Sequence, residues 1–559
     1  MINRNKRLGD LLVDAGLLTD EQLKNALDKQ KATGKKLGEI LIDDSIISES
    51  DMIRVLELQL GIAYMDISKI SIDPEIPKLI NENLARRHNL IPIKKENNRL
   101  IVAMADPLNI FARDDVSIAT GLEVEPVTSS RLAIISAIEQ YYGKQRAEKA
   151  IEEFKRQYDI SSINELMEEN INETDSAPVV RLINSIISQA VKLKASDIHV
   201  EPAETKIRIR FRIDGELQEV MNPEKSALSA IITRIKIMGK MDIAEKRIPQ
   251  DGRIELTVDN KEIDMRISSI PTVFGEKIVI RLLDRENFLT SKKGLGFSET
   301  NMALLDKLIK FPNGIILVTG PTGSGKSTTL YALLKELNKS KTNIITIEDP
   351  VEYRLDGINQ VQVNTKAGMT FASGLRSILR QDPDIIMVGE IRDAETAQIA
   401  VRASITGHLV LSTMHTNDAA STVARLVDMG IEPYLVSASV VGVIAQRLVR
   451  KICNQCKTTL AVSSLEKELL HQNDDFSIYK GRGCSACNGT GYKGRTAIHE
   501  IMPVDRDIRT LIEKRASIDV IRTAAAASGT ISLRESCKQL VLQGITTIEE
   551  MIRVTYSLD

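Results

Sequence analysis

Residues 320–327 read Gly-Pro-Thr-Gly-Ser-Gly-Lys-Ser, a match at every position to the phosphate-binding pattern G-x-x-x-x-G-K-[ST]. The stretch before it, Gly314 to Thr319 (Gly-Ile-Ile-Leu-Val-Thr), is a short apolar run of buried-strand type, and Ser327 to Leu337 reads as a helix. Strand, glycine loop and helix in that order predict a nucleotide-binding α/β core. The glycines let backbone N–H groups turn inward, and the helix start adds the positive end of its dipole. The pattern places Lys326 on the β- and γ-phosphates and the Ser327 hydroxyl on a bridging Mg²⁺, with Thr328 hydrogen-bonding the nucleotide. The loop residues Gly320, Pro321, Thr322, Gly323, Ser324 and Gly325 form the cradle.

Three further apolar strands end in polar residues, and in open α/β sheets ligands bind beyond the carboxyl ends of strands. Ile344 to Ile347 runs into Glu348-Asp349-Pro350-Val351-Glu352-Tyr353, and Ile385 to Val388 runs into Gly389-Glu390. Leu409 to Thr413 is flanked by His408 and His415. Phosphoryl transfer to water needs a group to orient the water, a carboxylate near Mg²⁺ and positive charge on the transferring group. Glu352 and Glu390 are the candidate carboxylates. Arg376 and Arg380, expected at i, i+4 on one helix face, are the candidate charges, and His408 and His415 are candidate nucleotide contacts. His88, His471 and His499 have no ligand-spaced partner and read as surface or core packing.

Upstream, a helix over Val179 to Leu193 leads into Ser196-Asp197-Ile198-His199-Val200-Glu201. Strands follow at Ile207 to Arg212, Asp264 to Ser268 and Lys277 to Leu283, with basic residues alternating against apolar ones. One face is therefore apolar and the other carries arginine, which either meets an anion or is simply solvated.

The N-terminus holds an internal repeat. Arg7 to Gln30 and Lys36 to Gln59 each have 24 residues, separated by five, and share Leu8/Leu37, Gly9/Gly38, Leu12/Leu41, Asp14/Asp43, Leu27/Leu56 and Gln30/Gln59. Each copy reads as two short helices, the second capped by Thr19 or Ser48. Strands are expected at Leu90 to Ile93 and Arg99 to Met104, closing a small α/β unit near Tyr142. Residues 143–177, rich in charged and polar residues, read as a linker.

Cys453-Asn-Gln-Cys456 and Cys484-Ser-Ala-Cys487 are two C-x-x-C knuckles with 27 residues between them, a structural-zinc pattern that closes a tetrahedron with four thiolates. Cys537 stands alone and reads as a small core residue. The chain has 559 residues, which suggests three to four domains. Its 74 basic and 76 acidic residues leave no field that favours nucleic acid, and 3 % aromatics leave few stacking platforms. No signal peptide and no run of membrane-spanning length is read, so a cytoplasmic location is expected.

With these motifs assembled, the chain resembles the secretion ATPases of the type II and type IV pilus class, most closely the pilus assembly (extension) ATPases of the PilB type. The resemblance rests on the phosphate loop, an Asp box at Thr346 to Tyr353, a Walker B element at Asp384 to Glu390 with Gly389 where Asp is usual, and a His box at Gly407 to His415. It implies a multidomain α/β protein: a RecA-like P-loop NTPase core over 291–559, containing the cysteine element near 450–495, a PAS-like domain over 178–290, a linker over 143–177 and a regulatory domain over 1–142. It further implies a homohexamer that turns over ATP with Mg²⁺ and carries Zn²⁺, peripheral to the membrane and recruited to its inner face. The partners implied are an inner-membrane platform protein and pilus alignment proteins, with no nucleic acid. Glu352 and Glu390 match the family's catalytic and Walker B glutamates, and Arg266 and Arg281 match arginines of the upstream domain that reach phosphates.

The N-terminal repeat resembles the MshEN domain, a cyclic di-GMP receptor, with Arg7, Gln30 and Asp106 at polar contact positions and Leu8, Leu37 and Leu56 supplying apolar surface. The second copy departs from the pattern at Lys36 and Ser45. The alternatives are a motor for type II secretion, or chiefly a cyclic di-GMP receptor with weak ATPase. A retraction motor fits less well, since that branch generally lacks the long N-terminal region and the cysteine element.

Overall fold

The computed structural model describes residues 9, 12, 13, 17–33, 37, 40, 41 and 47, and 62–142 apart from 68, 69, 71, 132, 136, 139 and 140; it then describes 178–258, 261–284, 292–472 and 476–555. Arg7, Leu8, Lys36, Ser45, Ser48, Leu56 and the 143–177 linker lie outside the described residues. The chain divides into two compact units, one of residues 1–189 with 453–456 and 482–491, the other of residues 190–452, 457–481 and 492–559.

In the first unit, helix Asp20–Thr33 starts where the sequence places its cap. The Thr19 hydroxyl accepts from Gln22 N at 3.3 Å and the Gln22 side chain accepts from Thr19 N at 3.0 Å, a reciprocal box that satisfies two orphan donors. Leu12, Leu18, Ala26, Ile40, Leu41 and Ile47 form a small core. Further along, β1 (Leu90–Glu96) pairs antiparallel with β2 (Arg99–Met104), and helix Ile110–Thr120 crosses to β3 (Glu123–Thr128), which lies parallel to β2. The sequence does not announce β3, because Pro126 interrupts it. The strand survives because it is an edge of the three-stranded sheet, where a missing N–H is tolerated.

The second unit contains two large sheets. One has six antiparallel strands, in sequence order β4 (Asp197–Pro202), β5 (Ile207–Ile213), β6 (Glu216–Met221), β7 (Gln250–Val258), β8 (Lys261–Thr272) and β9 (Gly275–Asp284), arranged β6-β5-β4-β9-β8-β7. Helix Leu228–Met238 packs against β7 and β9. On β8 the apolar face is carried by the buried Ile263, Met265 and Ile267. The opposite face bears a cross-strand row of Arg212, Asp197, Arg281, Arg266 and Arg253, paired residue to residue through five strands. The alternation read from the sequence is thus one basic face.

The other sheet comprises β10 (Gly314–Thr319), β11 (Ile344–Glu348), β12 (Asn359–Gln362), β13 (Ile385–Val388), β14 (Leu409–Met414), β15 (Val440–Ile452) and, after the short β16 (Lys457–Leu460) and β17 (Ile478–Gly481) ribbon, β18 (Tyr492–Pro503). Its order is β12-β11-β13-β14-β10-β15-β18, with every pairing parallel except β15 with β18. Helices cover both faces, so the central strands read as unbroken apolar runs: every residue of β10, β13 and β14 is buried. Each fully buried aliphatic side chain among them contributes roughly 1.5–3 kcal/mol of transfer free energy. Among the described residues no helix is long and apolar enough to cross a membrane.

Candidate active site

The carboxyl ends of β11, β13, β14 and β10 lie side by side along one edge of the parallel sheet, and the phosphate loop leaves from β10. Gly323 and Gly325 hold φ of 78° and 88°, left-handed values that permit the loop to turn into helix Lys326–Leu337 without a Cβ clash. Lys326 is buried beneath the loop. Its Nζ donates to Gly320 O at 2.7 Å and Pro321 O at 3.1 Å, and lies 3.5 Å from His415 Nδ1. His415 Nε2 is in turn 3.5 Å from a Glu390 carboxylate oxygen, whose other oxygen meets Arg392 at 2.5 Å. Lysine, imidazole, carboxylate and guanidinium therefore form one chain of contacts across the ends of three neighbouring strands.

The electrostatics follow from that packing. Burial brings the Lys326 ammonium down to about 8; Glu390 opposes the fall and the Arg447 guanidinium adds to it. Burial also lowers His415, with the Lys326 charge reinforcing the effect and Glu390 resisting it. An adjacent phosphate would act against both shifts, because a nearby anion favours the charged form of each group.

The Asp-box loop is fixed by residues that the sequence reading did not single out. Glu348 is buried at the end of β11 and accepts from the Tyr331 hydroxyl, from Thr346 Oγ1 at 2.6 Å and from Gln360 Nε2 at 3.1 Å. The Tyr331 oxygen also accepts from Glu352 N at 3.2 Å and Tyr353 N at 3.4 Å, which sets the backbone that presents Glu352. The Glu352 carboxylate takes Arg266 Nη2 at 2.6 Å, joining the basic face of the antiparallel sheet to this loop. Arg281 instead pairs with Asp197 at 3.2 Å. Burial pushes the Glu201 carboxyl up, but Arg210 and Lys277 outweigh it and bring it to about 2. Much of the basic face is thus neutralised within the chain.

Two expected contacts are not made within this chain. His408 stands at the amino end of β14, opposite the phosphate loop, with Nδ1 2.8 Å from Ala403 O; a residue before a parallel strand cannot share an edge with residues after it. Arg376 and Arg380 do not share a helix face at the site either. Helix Phe371–Ile378 ends before Arg380, because Asp382 adopts φ 49° and Pro383 disfavours helix at the residue before it. Arg376 pairs with Glu395 at 2.6 Å, and Arg380 bonds back to Arg376 O at 3.0 Å. The other histidines pack as read: His88 lies 2.9 Å from Asp115, and His499 is fully buried, stacked on Phe297 at 3.6 Å and lowered to about 3 by burial.

The four knuckle cysteines converge. Their Sγ atoms all lie within 4.8 Å of one another, with separations of 3.8 Å for 453 to 484, 3.8 Å for 456 to 487 and 3.7 Å for 484 to 487. A tetrahedron with zinc–sulfur bonds of about 2.3 Å has edges of about 3.8 Å, so the quartet fits a zinc ion. Backbone N–H groups of Cys484 and Gly491 each reach Cys487 Sγ at 3.2 Å, as suits a thiolate ligand. Cys537 is buried in the core, as expected.

The model of the family "Type II/IV secretion system protein" matches residues 172–553. The chain belongs to that family. An MshEN domain model matches residues 60–148, following the duplicated segment rather than spanning it. The type IV pilus assembly ATPase PilB of Myxococcus xanthus is 45 % identical over 98 % of both chains. A type II secretion system protein E of Xanthomonas campestris is 41 % identical over 98 % of both. The solved structure of the Legionella pneumophila ATPase DotB covers 67 % of this chain and 95 % of its own with a TM-score of 0.50 at 22 % identity, a likeness of fold. The chain is a P-loop ATP hydrolase.

In the described residues, Gln30 is half-buried on helix Asp20–Thr33, Leu37 packs against the small core of the first unit, and Asp106 lies in the turn after β2, where it accepts from Leu108 N at 3.3 Å.

Proposed function

We propose that this ATPase is the motor of type IV pilus assembly, a homohexamer that hydrolyses Mg·ATP at the inner face of the membrane and drives pilin polymerisation through a platform protein. The observation that carries the reading is the end-to-end likeness to the Myxococcus pilus assembly ATPase. Lys326 and the loop amides would hold the phosphates, Ser327 and Glu390 the Mg²⁺ and its water, and Glu352 would orient the attacking water. Arg266, which pairs with Glu352, would be the upstream-domain cation that meets phosphate. Cys453, Cys456, Cys484 and Cys487 would hold a zinc ion that supplies structure and no chemistry.

The reading is tested by deleting the gene in its host and scoring surface pili and exoprotein secretion separately. Loss of pili with secretion intact is expected. The full-length Xanthomonas relative supports a type II secretion motor as the second reading, and the reverse phenotype would establish it.

The buried lysine gives the nucleotide step a pH signature. An amine that titrates at about 8 in the empty site is partly uncharged there, and adjacent phosphate favours the charged form. ADP binding at pH 8 is therefore expected to take up protons, and affinity to fall as pH rises from about 7 to about 9. Calorimetry in buffers of different ionisation enthalpy reads the uptake; net proton release would contradict the assignment of Lys326.

The MshEN match supports control by cyclic di-GMP. Saturable binding of cyclic di-GMP to the full chain, lost in Asp106→Ala, is expected. Unchanged binding in that variant would remove Asp106 from the site.

A further inference from the structure

Strand β15 reaches the phosphate loop, and its Gln446 side chain is hydrogen-bonded there. Gln446 is 2 % exposed; its Nε2 donates to Ser324 O at 2.7 Å and its Oε1 accepts from Thr329 Oγ1 at 2.7 Å. The amide orientation is forced, because a backbone carbonyl can only accept. Gln446 also shapes the glycines around it. A Cβ at Gly320 would lie 2.4 Å from the Gln446 carbonyl oxygen, and one at Gly325 would lie 2.8 Å from Gln446 Nε2.

The consequence comes from peptide geometry. Ser324 C=O and Gly325 N–H belong to the same rigid peptide plane and point in opposite directions. A loop that aims its N–H groups at phosphate must turn the matching carbonyls outward, and a buried outward carbonyl needs a donor. Ser324 is 3 % exposed, and Gln446 is the donor. We infer that Gln446 is a positioning residue for nucleotide binding: by holding Ser324 O outward it aims the Gly325 N–H into the phosphate cradle, and Thr329 holds the Gln446 amide in the orientation that does so. The inference rests on residues 320–327 being the nucleotide site.

The test uses the full-length protein and steady-state turnover with Mg·ATP in Gln446→Leu, Gln446→Glu, Thr329→Val and Lys326→Ala, with melting temperatures alongside. Orphaning one buried carbonyl corresponds to a rise of about 10- to 100-fold in KM for Gln446→Leu, with kcat within a few-fold of the parent, because the loop binds ground and transition states alike. Gln446→Glu sets an acceptor against an acceptor while ionised. Its KM relative to the parent is therefore expected to improve as pH falls and the carboxyl regains a proton to donate. Thr329→Val is expected to raise KM by a smaller factor.

KM within twofold of the parent in Gln446→Leu, while Lys326→Ala abolishes turnover, would overturn the inference alone. So would a fall in kcat that tracks melting temperature at constant KM, the mark of a purely structural residue. Lys326→Ala with parental turnover would overturn the site assignment and this inference with it. Should Gln446→Leu fail to fold, the pH dependence of Gln446→Glu and the KM of Thr329→Val decide the question.

Discussion

Replacing Lys326 with alanine is expected to lower ATP turnover by roughly three orders of magnitude or more, the largest effect of any single change in this chain. The ammonium is buried and oriented by two backbone carbonyls of its own loop at 2.7 and 3.1 Å. Alanine leaves the cradle amides in place but removes the ammonium beside them. Arginine is expected to fail almost as badly, since a planar guanidinium on a longer stem cannot reproduce the compact contacts of the ammonium with Gly320 O and Pro321 O. Phosphate release by purified protein measures the effect, and a variant within tenfold of the parent would refute the site assignment.

Loss of the knuckle metal is the second large effect. Binding of zinc by small four-ligand structural elements is worth about 10–16 kcal/mol in apparent terms, and that binding energy is folding energy for the segment. Metal analysis of protein prepared without chelator is expected to give about one zinc per chain, falling to near zero in Cys487→Ser. In that variant residues 453–456 and 482–491 should become protected poorly against hydrogen exchange, while the protection of β10 and β14 persists. A metal-free preparation with full protection of both segments would show that four thiols pack well enough alone.

Much of the site was legible before any coordinates, and the reason is local. The strand over Gly314 to Thr319, the glycine loop and the helix are contiguous in sequence, so their period and turn chemistry suffice to order them. The same holds for the Thr19 cap, where both partners lie within three residues. Legibility failed where partners are distant. Gln446 is 122 residues from Ser324, and no local pattern marks a glutamine within a strand as a clamp. The pairing of Arg376 with Arg380 misled because a helical spacing was extended through a segment whose next proline forbids it.

The sequence by itself determined the chemistry: a phosphate loop, the carboxylates at strand ends and four thiols at metal spacing are choices of residue type, and each acts through backbone or side chains close by in the chain. Only the tertiary structure decided membership. Strand order put His415 on the Lys326 edge and His408 on the other, turned the basic sheet face so that Arg266 meets Glu352, and brought two knuckles separated by 27 residues to within one coordination sphere. Side-chain period is written along the chain, whereas the order of parallel strands is settled by which apolar faces bury together.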